Sequence, residues 1–399
     1  MPIREALQSW LPLQPPGVNF IGPVDFVSGL GTSARGYVSA LRHSGAPLTV
    51  VPWTEGFSQQ HRTTDSADSG PLQVINVVHL NLDYLHGAGI LDREPLANIV
   101  TPDRYNVAVV YWELETLRPE WLEVVNRFDE FWCASSFIAK AISSAFSGPV
   151  RVVRPALAFS PTIYRRKRKD FGLPDDRYIF FYTFDAGSVL GRKNPNALLD
   201  AFMAEFREDE GALFVLRVLY GFHNAEGLNA IRSIASRRSD ILVTEGFLSV
   251  DDLHDFFSNI DCYVSPHRSE GLGLTILEAM AAQKPVIATP YGGTCDFITA
   301  ETAFPVAYQM TPIGDGNDPY PPESVWADPS VASLRSRMRL VFDDRRRAQA
   351  IGIQGSAAVR ELFSVDRTAW RARKEINRIG WTLRKRALQS RLQTLLHPR

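Results

Sequence analysis

Residues 265–294 read SPHRSEGLGLTILEAMAAQKPVIATPYGGT, in which Glu270 and Glu278 flank a loop broken by glycines. The loop runs directly into an apolar stretch that predicts a helix. A helix start offers free N–H groups and the positive end of the helix dipole to an anion such as a phosphate. Gly271 and Gly273 would let the backbone come close to a ligand, where a side chain would obstruct it.

The two carboxylates suit a ligand that has hydroxyl groups at both ends. We place Glu278 in the first helical turn, where it would accept hydrogen bonds from a ribose diol, and Glu270 at the opposite end of the ligand. A diphosphate with a hydroxylated ring at each end is a nucleotide sugar. An ordinary strand-loop-helix with solvated glutamates is the alternative, but it does not account for the second glycine pair, Gly292-Gly293.

This run resembles the retaining glycosyltransferases of the GT-B fold, specifically glycosyltransferase family 4. Glu270 and Glu278, with seven residues between them, match its two-glutamate signature. Further segments match as well: Ala279-Met280-Ala281, Lys284-Pro285-Val286-Ile287-Ala288 and Gly292-Gly293. The resemblance implies a donor-binding loop made of Gly271, Leu272, Gly273, Leu274 and Thr275. In that family the N–H groups at the helix start, here near Leu274 and Thr275, hold the leaving diphosphate.

The composition is typical of a globular protein with a sizeable core, since 45% of the 399 residues are hydrophobic and 22% are charged. A net charge of -1 gives no reason to expect nucleic acid as a partner. Three isolated cysteines lack disulfide or metal-ligand spacing, which favours a reducing compartment. No signal peptide is evident in Met1 to Gln14. We therefore expect a cytoplasmic protein, with peripheral contact at the inner face of the membrane as an open alternative.

Short apolar runs alternate with helical stretches along the chain, which predicts α/β domains with parallel sheets. We predict two Rossmann-like, doubly wound domains that face a cleft, over residues 1–160 and 161–365. A basic helical segment follows at 366–399, and GT-B proteins have a closing helix that crosses back to the first domain. The basic run Arg165 to Lys169 is predicted to be a solvated interdomain linker.

A glycine-rich segment near the amino terminus, Gly29-Leu-Gly31-Thr-Ser-Ala-Arg35-Gly36, follows a strand and opens a helix. It could cradle phosphate, although a purely structural turn is equally consistent with it. It is not the dinucleotide fingerprint, because the third glycine comes two residues too late. It resembles the family's amino-terminal loop, and that resemblance implies that Gly29 and Gly31 face the donor diphosphate.

Two cations, Arg192 and Lys193, stand at a strand-to-helix junction, where they would offset the charge of a diphosphate leaving group. Lys193 matches the lysine of the family's donor-phosphate segment. The family's arginine lies five residues earlier, where this chain has Ser188. Arg192 either replaces that arginine or belongs to an exposed basic turn.

A third segment, Gly246-Phe247-Leu248, follows a predicted strand. The resemblance implies that its backbone contacts the nucleobase of the donor. Phe247 could equally belong to the core, since an aromatic residue at the end of a strand usually does.

The segment expected to face the sugar acceptor is the part of the sequence that differs most from the family. In that family a histidine often follows an amino-terminal strand, near the transferred sugar. This chain instead has a segment rich in Trp and Glu, which looks like that of a family subgroup and offers Glu113 as a group that orients acceptor or donor. His79, at the end of another predicted strand, is the alternative catalytic group, or else a satisfied core histidine. His267 lies near Glu270 and has no assigned role.

The tail from Asp366 to Arg399 has ten Lys or Arg residues against two acidic ones, with tryptophans among them. A basic amphipathic helix can lie on an anionic bilayer, which would suit a lipid-linked acceptor. Packing against the first domain is the alternative, which we favour for Arg367 to Ile379. Membrane contact remains open for Trp381 to Leu396.

The resemblance implies a metal-independent, retaining glycosyltransferase that needs no cofactor beyond its nucleotide-sugar substrate. It would transfer a sugar to a glycan or lipid-linked acceptor, as in surface polysaccharide biosynthesis. A nicotinamide-dependent enzyme is disfavoured, because the short glycine fingerprint and its acidic partner are absent. A non-catalytic nucleotide-sugar binder of the same fold is the remaining alternative, and turnover would separate the two.

Overall fold

The first half of the chain is built on a parallel sheet. The computed structural model describes residues 15–55, 70–87, 89–157, 165–246 and 248–396. The strands of this sheet are β1 (Val18–Gly22), β2 (Leu48–Pro52), β3 (Ile75–His79), β4 (Tyr105–Val110), β5 (Glu130–Cys133) and β6 (Val150–Val152). They lie in the order β2-β1-β3-β4-β5-β6, and every neighbouring pair is parallel.

A second parallel sheet follows the first along the chain. Its strands are β7 (Tyr178–Asp185), β8 (Ala212–Leu219), β9 (Ile241–Glu245), β10 (Cys262–Ser265), β11 (Val286–Ala288) and β12 (Phe304–Pro305). Their order is β12-β11-β10-β7-β8-β9. Strands β3, β4 and β10 are buried along their whole length, as expected for a parallel sheet covered by helices on both faces.

The helices lie mainly between consecutive strands. They are α1 (Gly29–His43), α2 (Leu82–Gly87), α3 (Leu96–Ile99), α4 (Leu122–Val125), α5 (Ser136–Ser143), α6 (Leu190–Lys193), α7 (Pro195–Glu205), α8 (Ala225–Ala235), α9 (Val250–Asn259), α10 (Leu274–Ala281), α11 (Val331–Asp343), α12 (Arg345–Leu362) and α13 (Val365–Leu396). Ser28 caps α1, because its side chain accepts the Gly31 N–H at 3.0 Å. The helix begins at Gly29 itself, so the glycine-rich segment is its first turns.

The last helix, α13, leaves the second domain and packs across the first. Ala372, Ile376 and Ile379 are buried in a cluster that also contains Tyr37 and Val38 of α1. This confirms the expected closing helix. The domain boundary expected at residues 160 and 161 lies outside the described residues, between strands that end at 152 and begin at 178.

The basic run at residues 165–169 differs from the expected solvated linker. Arg166 pairs with Asp252 of α9 at 2.8 Å, and Arg168 pairs with Asp261 at 2.6 Å. The backbone N–H groups of Arg165 and Arg166 also donate to Asp255. The run is therefore fastened to the second domain through Arg166 and Arg168, whose carboxylate partners lie in α9 and just beyond its end, while Arg165, Lys167 and Lys169 are exposed.

A two-stranded antiparallel hairpin follows β12 and was not predicted from the sequence. Strand β13 (Tyr308–Pro312) pairs with β14 (Val325–Pro329), and residues 313–324 form the connection between them. Sequence signals for hairpins rely on tight connections of two to five residues, which this one exceeds. Its connection reaches the first domain, where the Arg118 guanidinium donates to the Pro319 carbonyl at 3.2 Å.

Candidate active site between the two domains

A carboxylate and two cations meet beyond the carboxyl ends of β7 and β10. Glu270 accepts a hydrogen bond from Lys193 Nζ at 2.5 Å, and the same carboxylate oxygen lies 3.2 Å from Arg192 Nη1. Arg192 is 5% exposed, and the side chains of Lys193 and Glu270 are each 15% exposed. Parallel strands bring their following loops to one edge of the sheet, which is why residues so far apart in sequence meet here.

The charges in this cluster fix the protonation state of Glu270. Burial opposes its ionisation, but Lys193 and Arg192 outweigh that effect and lower the pKa of Glu270 to about 2. Burial and Arg192 together lower the pKa of Lys193, against the attraction of Glu270. Glu270 is therefore an anion at neutral pH and can face developing positive charge on a ligand.

Glu113 brings the first domain to the same cluster. Its Oε2 accepts from the Tyr320 hydroxyl at 2.8 Å, and its Oε1 lies 4.0 Å from Arg192 Nη2. Its backbone carbonyl accepts from Ser269 Oγ at 2.5 Å. The structure thus brings together three of the predicted catalytic residues and adds Tyr320, which the sequence did not single out.

Arg192 occupies a different position from the one the sequence suggests. Besides Glu270, its Nη1 donates to the Ser269 carbonyl at 2.9 Å, and little of the guanidinium reaches the surface. A phosphate would have to displace these protein acceptors. Arg192 is therefore a buried partner that stabilises the Glu270 carboxylate and its loop. It does not belong to an exposed basic turn.

Glycines 271 and 273 serve the protein's own packing in this structure. A Cβ on Gly271 would lie 3.0 Å from the Trp112 carbonyl, so the loop approaches the first domain where close approach to a ligand was expected. Gly273 has φ +86° and stands immediately before α10, a conformation that disfavours other residues. Leu272, between them, is buried.

Two helix starts face each other across the domains. A Cβ on Gly29, at the start of α1, would lie 3.7 Å from Leu274 Cδ1, at the start of α10. Gly31 has another role, because a Cβ there would lie 2.0 Å from the Phe26 carbonyl. Thr275 Oγ1 accepts from the Tyr263 hydroxyl at 2.8 Å. The positive ends of two helix dipoles thus converge where an anion could bind.

Glu278 lies one turn further into α10 than predicted, as the fifth residue of a helix that begins at Leu274. Burial raises its pKa to about 7, and Arg35 of α1 partly opposes this. No described residue donates a hydrogen bond to its carboxylate, whereas Arg35 is anchored on the Val24 and Phe26 carbonyls. Glu278 is thus a half-buried acceptor with its hydrogen-bonding capacity still open.

Residues 184–312, which hold the cluster and both glycine pairs, match the family model of the glycosyl transferases group 1. This match lies within the second half of the chain and covers about a third of its length. Among curated relatives, a D-inositol 3-phosphate glycosyltransferase of Saccharomonospora viridis is 28% identical over 237 residues, which cover 56% of this chain and 51% of that protein.

A lipopolysaccharide core biosynthesis mannosyltransferase, LpsB of Rhizobium meliloti, is 30% identical over 121 residues, which cover 30% of this chain and 29% of that protein. The chain spans no more than about half the length of these two relatives. Their similarity is therefore limited to the aligned residues and does not extend to the whole of either relative.

Solved structures resemble the whole chain. HepE of Anabaena, in complex with UDP and glucose, superposes with a TM-score of 0.61 over 90% of this chain and 99% of its own, at 14% identity. The sucrose-phosphate synthase of Thermosynechococcus elongatus gives a TM-score of 0.63 over 92% and 100%, at 17% identity. These likenesses confirm the predicted GT-B fold of two Rossmann-like domains.

Within the matched residues 184–312, the structure describes two of the three residues of the expected nucleobase segment. Gly246 has φ +111°, and its carbonyl accepts from Arg217 Nη2 at 2.7 Å. Leu248 is half-buried. Phe247 lies outside the described residues.

His79 lies inside the first domain, among aromatic rings instead of charged groups. It is fully buried, its Nε2 lies 2.9 Å from Ser33 Oγ, and its ring contacts those of Tyr37 and Tyr111 at 5.7 Å between centroids. Burial lowers its pKa to about 4, so the ring is neutral at pH 7. His79 therefore lies in the core with one ring nitrogen hydrogen-bonded and its Nδ1 buried without a partner among the described residues, and its catalytic role stays a prediction.

His267 is the histidine that adjoins the cluster. It is fully buried, and its Nδ1 lies 2.9 Å from Ser265 Oγ. Burial lowers its pKa to about 4, against the attraction of Glu270. A neutral imidazole thus stands beside Glu270 at physiological pH.

Membrane-spanning helices and clustered metal ligands are both absent from the part of the chain that the structure describes. No helix in the described ranges is both long and apolar enough to cross a membrane. Across the same ranges, no group of three or more His, Cys, Asp or Glu side chains is arranged to hold a metal ion.

Proposed function

We propose that this protein is a retaining glycosyltransferase that moves a sugar from a nucleotide-sugar donor to a glycan or glycolipid acceptor. The observation that carries the proposal is the buried Glu270–Lys193 pair, backed by Arg192 and met by Glu113 from the opposite domain. The similar structure of HepE contains UDP and glucose, which supports a nucleotide-sugar donor here.

The donor is proposed to lie between the two facing helix starts. The N–H groups near Leu274 and Thr275 and the loop at Gly29 receive the diphosphate, while Glu278 accepts the ribose hydroxyls. Lys193 turns from Glu270 towards the leaving phosphate as charge develops there. Freed of its partner, Glu270 faces the sugar ring and stabilises its positive charge in the transition state.

In this scheme the acceptor hydroxyl attacks from the face that the nucleotide leaves, so the anomeric configuration is preserved. Glu113 orients the acceptor or the transferred sugar from the first domain. We propose that the reaction requires no metal ion, because Lys193 and the two helix starts supply the positive charge. The relative named for lipopolysaccharide core biosynthesis supports an acceptor in surface polysaccharide or glycolipid assembly.

A thermal-shift and turnover panel of UDP-, GDP-, ADP- and dTDP-sugars, with NAD as control, tests the proposal. We expect one nucleotide class to raise the melting temperature and to be released slowly, with equal rates in EDTA. The anomeric configuration of the product, read by NMR, tests retention. Stabilisation without release, even with glycan and lipid acceptors, would instead identify a non-catalytic binder.

A matched pair of variants separates the site from general surface charge. Lys193→Met is expected to abolish release, whereas Lys169→Met, at an exposed position in the same domain, should leave it unchanged. Equal rates in the two variants would contradict the role assigned to Lys193.

A further inference from the structure

Helix α13 carries a second apolar surface on the side opposite its buried face. Trp370 is 63% exposed, Trp381 48% and Leu388 43%. These residues are 11 and 18 positions apart, so at about 100° per residue they fall within about 20° of each other on the helix surface. At about 1.5 Å per residue they span about 27 Å. We call Trp370, Trp381 and Leu388 the tryptophan stripe.

The tryptophan stripe is bordered by cations on both sides. Helical geometry puts Arg373 and Arg384 about 40 to 60° to one side of it and Lys374 and Lys385 as far to the other, and all four are exposed. Lys374 Nζ lies 5.6 Å from the Trp370 ring centroid, and Arg384 Cζ lies 5.7 Å from that of Trp381. This spacing allows cation–π attraction, which holds the cations beside the rings.

The same stretch presents no exposed carboxylate between residues 370 and 389, as far as the structure describes it. Its acidic residue, Glu375, is buried and pairs with Arg378 at 2.8 Å. The helix therefore combines a field of positive charge with three large apolar side chains along one face, where the polar Asn377 lies between the two tryptophans. The buried face, with Ile376 and Ile379, already anchors the helix on the first domain, so packing does not explain the stripe.

We propose that the tryptophan stripe docks the protein on an anionic lipid bilayer, with α13 parallel to the membrane plane. Indole rings are enriched at the boundary between headgroups and acyl chains, and basic side chains beside them attract anionic headgroups. A nucleic acid would use the cations but gain little from the apolar line. A second copy of the chain would use the apolar line but bring like charges together. Of these three occupants, the bilayer is the one that uses both features.

Vesicle flotation of the full chain tests this inference, and it requires neither a donor sugar nor turnover. Vesicles of phosphatidylcholine, with and without phosphatidylglycerol, are compared at low and high NaCl. The wild type should float with phosphatidylglycerol vesicles at low salt and remain at the bottom with phosphatidylcholine alone. Each cation near an anionic surface contributes about fivefold in partitioning, so removing all four should weaken partitioning about 600-fold if the contributions multiply.

Two variants and two matched controls sharpen the result. Replacing both tryptophans with serine, and replacing the four bordering cations with glutamine, should each abolish flotation. Phe222→Ser, a substitution of an aromatic residue that is also 63% exposed, should float like the wild type. Glutamine substitution of four exposed cations elsewhere should do the same: Lys169, Arg237, Arg346 and Arg347.

Three results would overturn the inference. Equal flotation of the stripe variants and their controls would show that the tryptophan stripe does not contact lipid. A wild-type chain that sediments as a dimer, and becomes monomeric when both tryptophans are replaced, would assign the stripe to self-association. Binding to duplex DNA that is insensitive to the tryptophan substitutions, without flotation, would assign the cations to nucleic acid.

Discussion

Lys193 and Glu270 should stabilise the fold as a coupled pair, and a double-mutant cycle can measure that coupling. The two cations lower the pKa of Glu270 from the usual 4.5 to about 2 in spite of its burial. At about 1.36 kcal/mol per pKa unit, this favours the ionised carboxylate in the folded state by about 3 kcal/mol. Lys193 is the nearer cation, at 2.5 Å against 3.2 Å for Arg192.

Because Lys193 supplies the larger share, Lys193→Met should cost about 2 kcal/mol of unfolding free energy at pH 7. Glu270→Gln should cost about as much, since it leaves Lys193 and Arg192 buried together with only the more distant Glu113 carboxylate as a counter-charge. The double variant, in which neither charge remains, should cost about 2 kcal/mol as well. The coupling energy of the cycle is then about 2 kcal/mol.

Chemical unfolding of the four proteins, followed by circular dichroism, measures the cycle, and nucleotide release measures activity in parallel. The double variant should be no less stable than either single variant but should have no activity, because the proposed transfer requires both residues. The pH dependence gives an internal check. A lowered folded-state pKa contributes stability above about 4.5 and loses it as the pH falls towards about 2, so wild type and Glu270→Gln should converge in acid.

If the losses in unfolding free energy of the two single variants simply add in the double variant, with a coupling energy below about 0.5 kcal/mol, the two residues do not stabilise the fold as a pair. A Lys193→Met protein with wild-type turnover would refute its part in transfer, whatever its stability.

Other parts of the site give three further predictions. Because burial raises the pKa of Glu278 to about 7, donor affinity measured by calorimetry should fall about tenfold from pH 8 to pH 6, and Glu278→Gln should abolish that dependence. Tyr320→Phe removes the hydrogen bond to the Glu113 carboxylate and should cost about 2 kcal/mol in chemical unfolding, whereas an unchanged midpoint would show that water replaces the hydroxyl. Gly293→Ala would put a Cβ 1.9 Å from the Gly271 carbonyl and should lower the free energy of unfolding by about 3 kcal/mol, seen as a lower melting temperature. A wild-type melting curve would contradict this packing.

The features predicted best from the sequence are those that depend on residues close to each other along the chain. Apolar runs such as Tyr178 to Thr183 predicted most strands of both sheets, because strands buried on both faces need continuous apolar residues. The loop before α10 was predicted as a ligand site from its glycines and glutamates, and Glu270 and Lys193 do meet there. Sequence spacing alone placed Glu278 one turn too early, because it did not reveal that Gly273 would precede the helix.

What the sequence did not predict depends on contacts between distant segments. Tyr320 and Glu113 are 207 residues apart, and no local pattern links a phenol in a long connection to a carboxylate after a strand. The inward turn of Arg192 likewise follows from acceptors 77 and 78 residues away, on Ser269 and Glu270. Gly271 appeared to be reserved for a ligand because the position of Trp112 is a property of the assembled domains.

Several hydrogen bonds between the domains share one arrangement, in which a side chain of one domain donates to a backbone carbonyl of the other. The donor and acceptor pairs are Ser269 and Glu113, Ser135 and Gly271, Tyr220 and Val27, and Arg118 and Pro319. A backbone carbonyl persists through almost any substitution, so these bonds by themselves place no requirement on the side chains at the accepting positions.

These bonds therefore require particular residue types only at the four positions whose side chains donate. Residues around the accepting positions can therefore diverge over evolutionary time while the domains keep their mutual orientation. On the proposed function, such an interface would let the preference for the sugar acceptor change by point substitution, and exchange of first domains between related chains would transfer that preference.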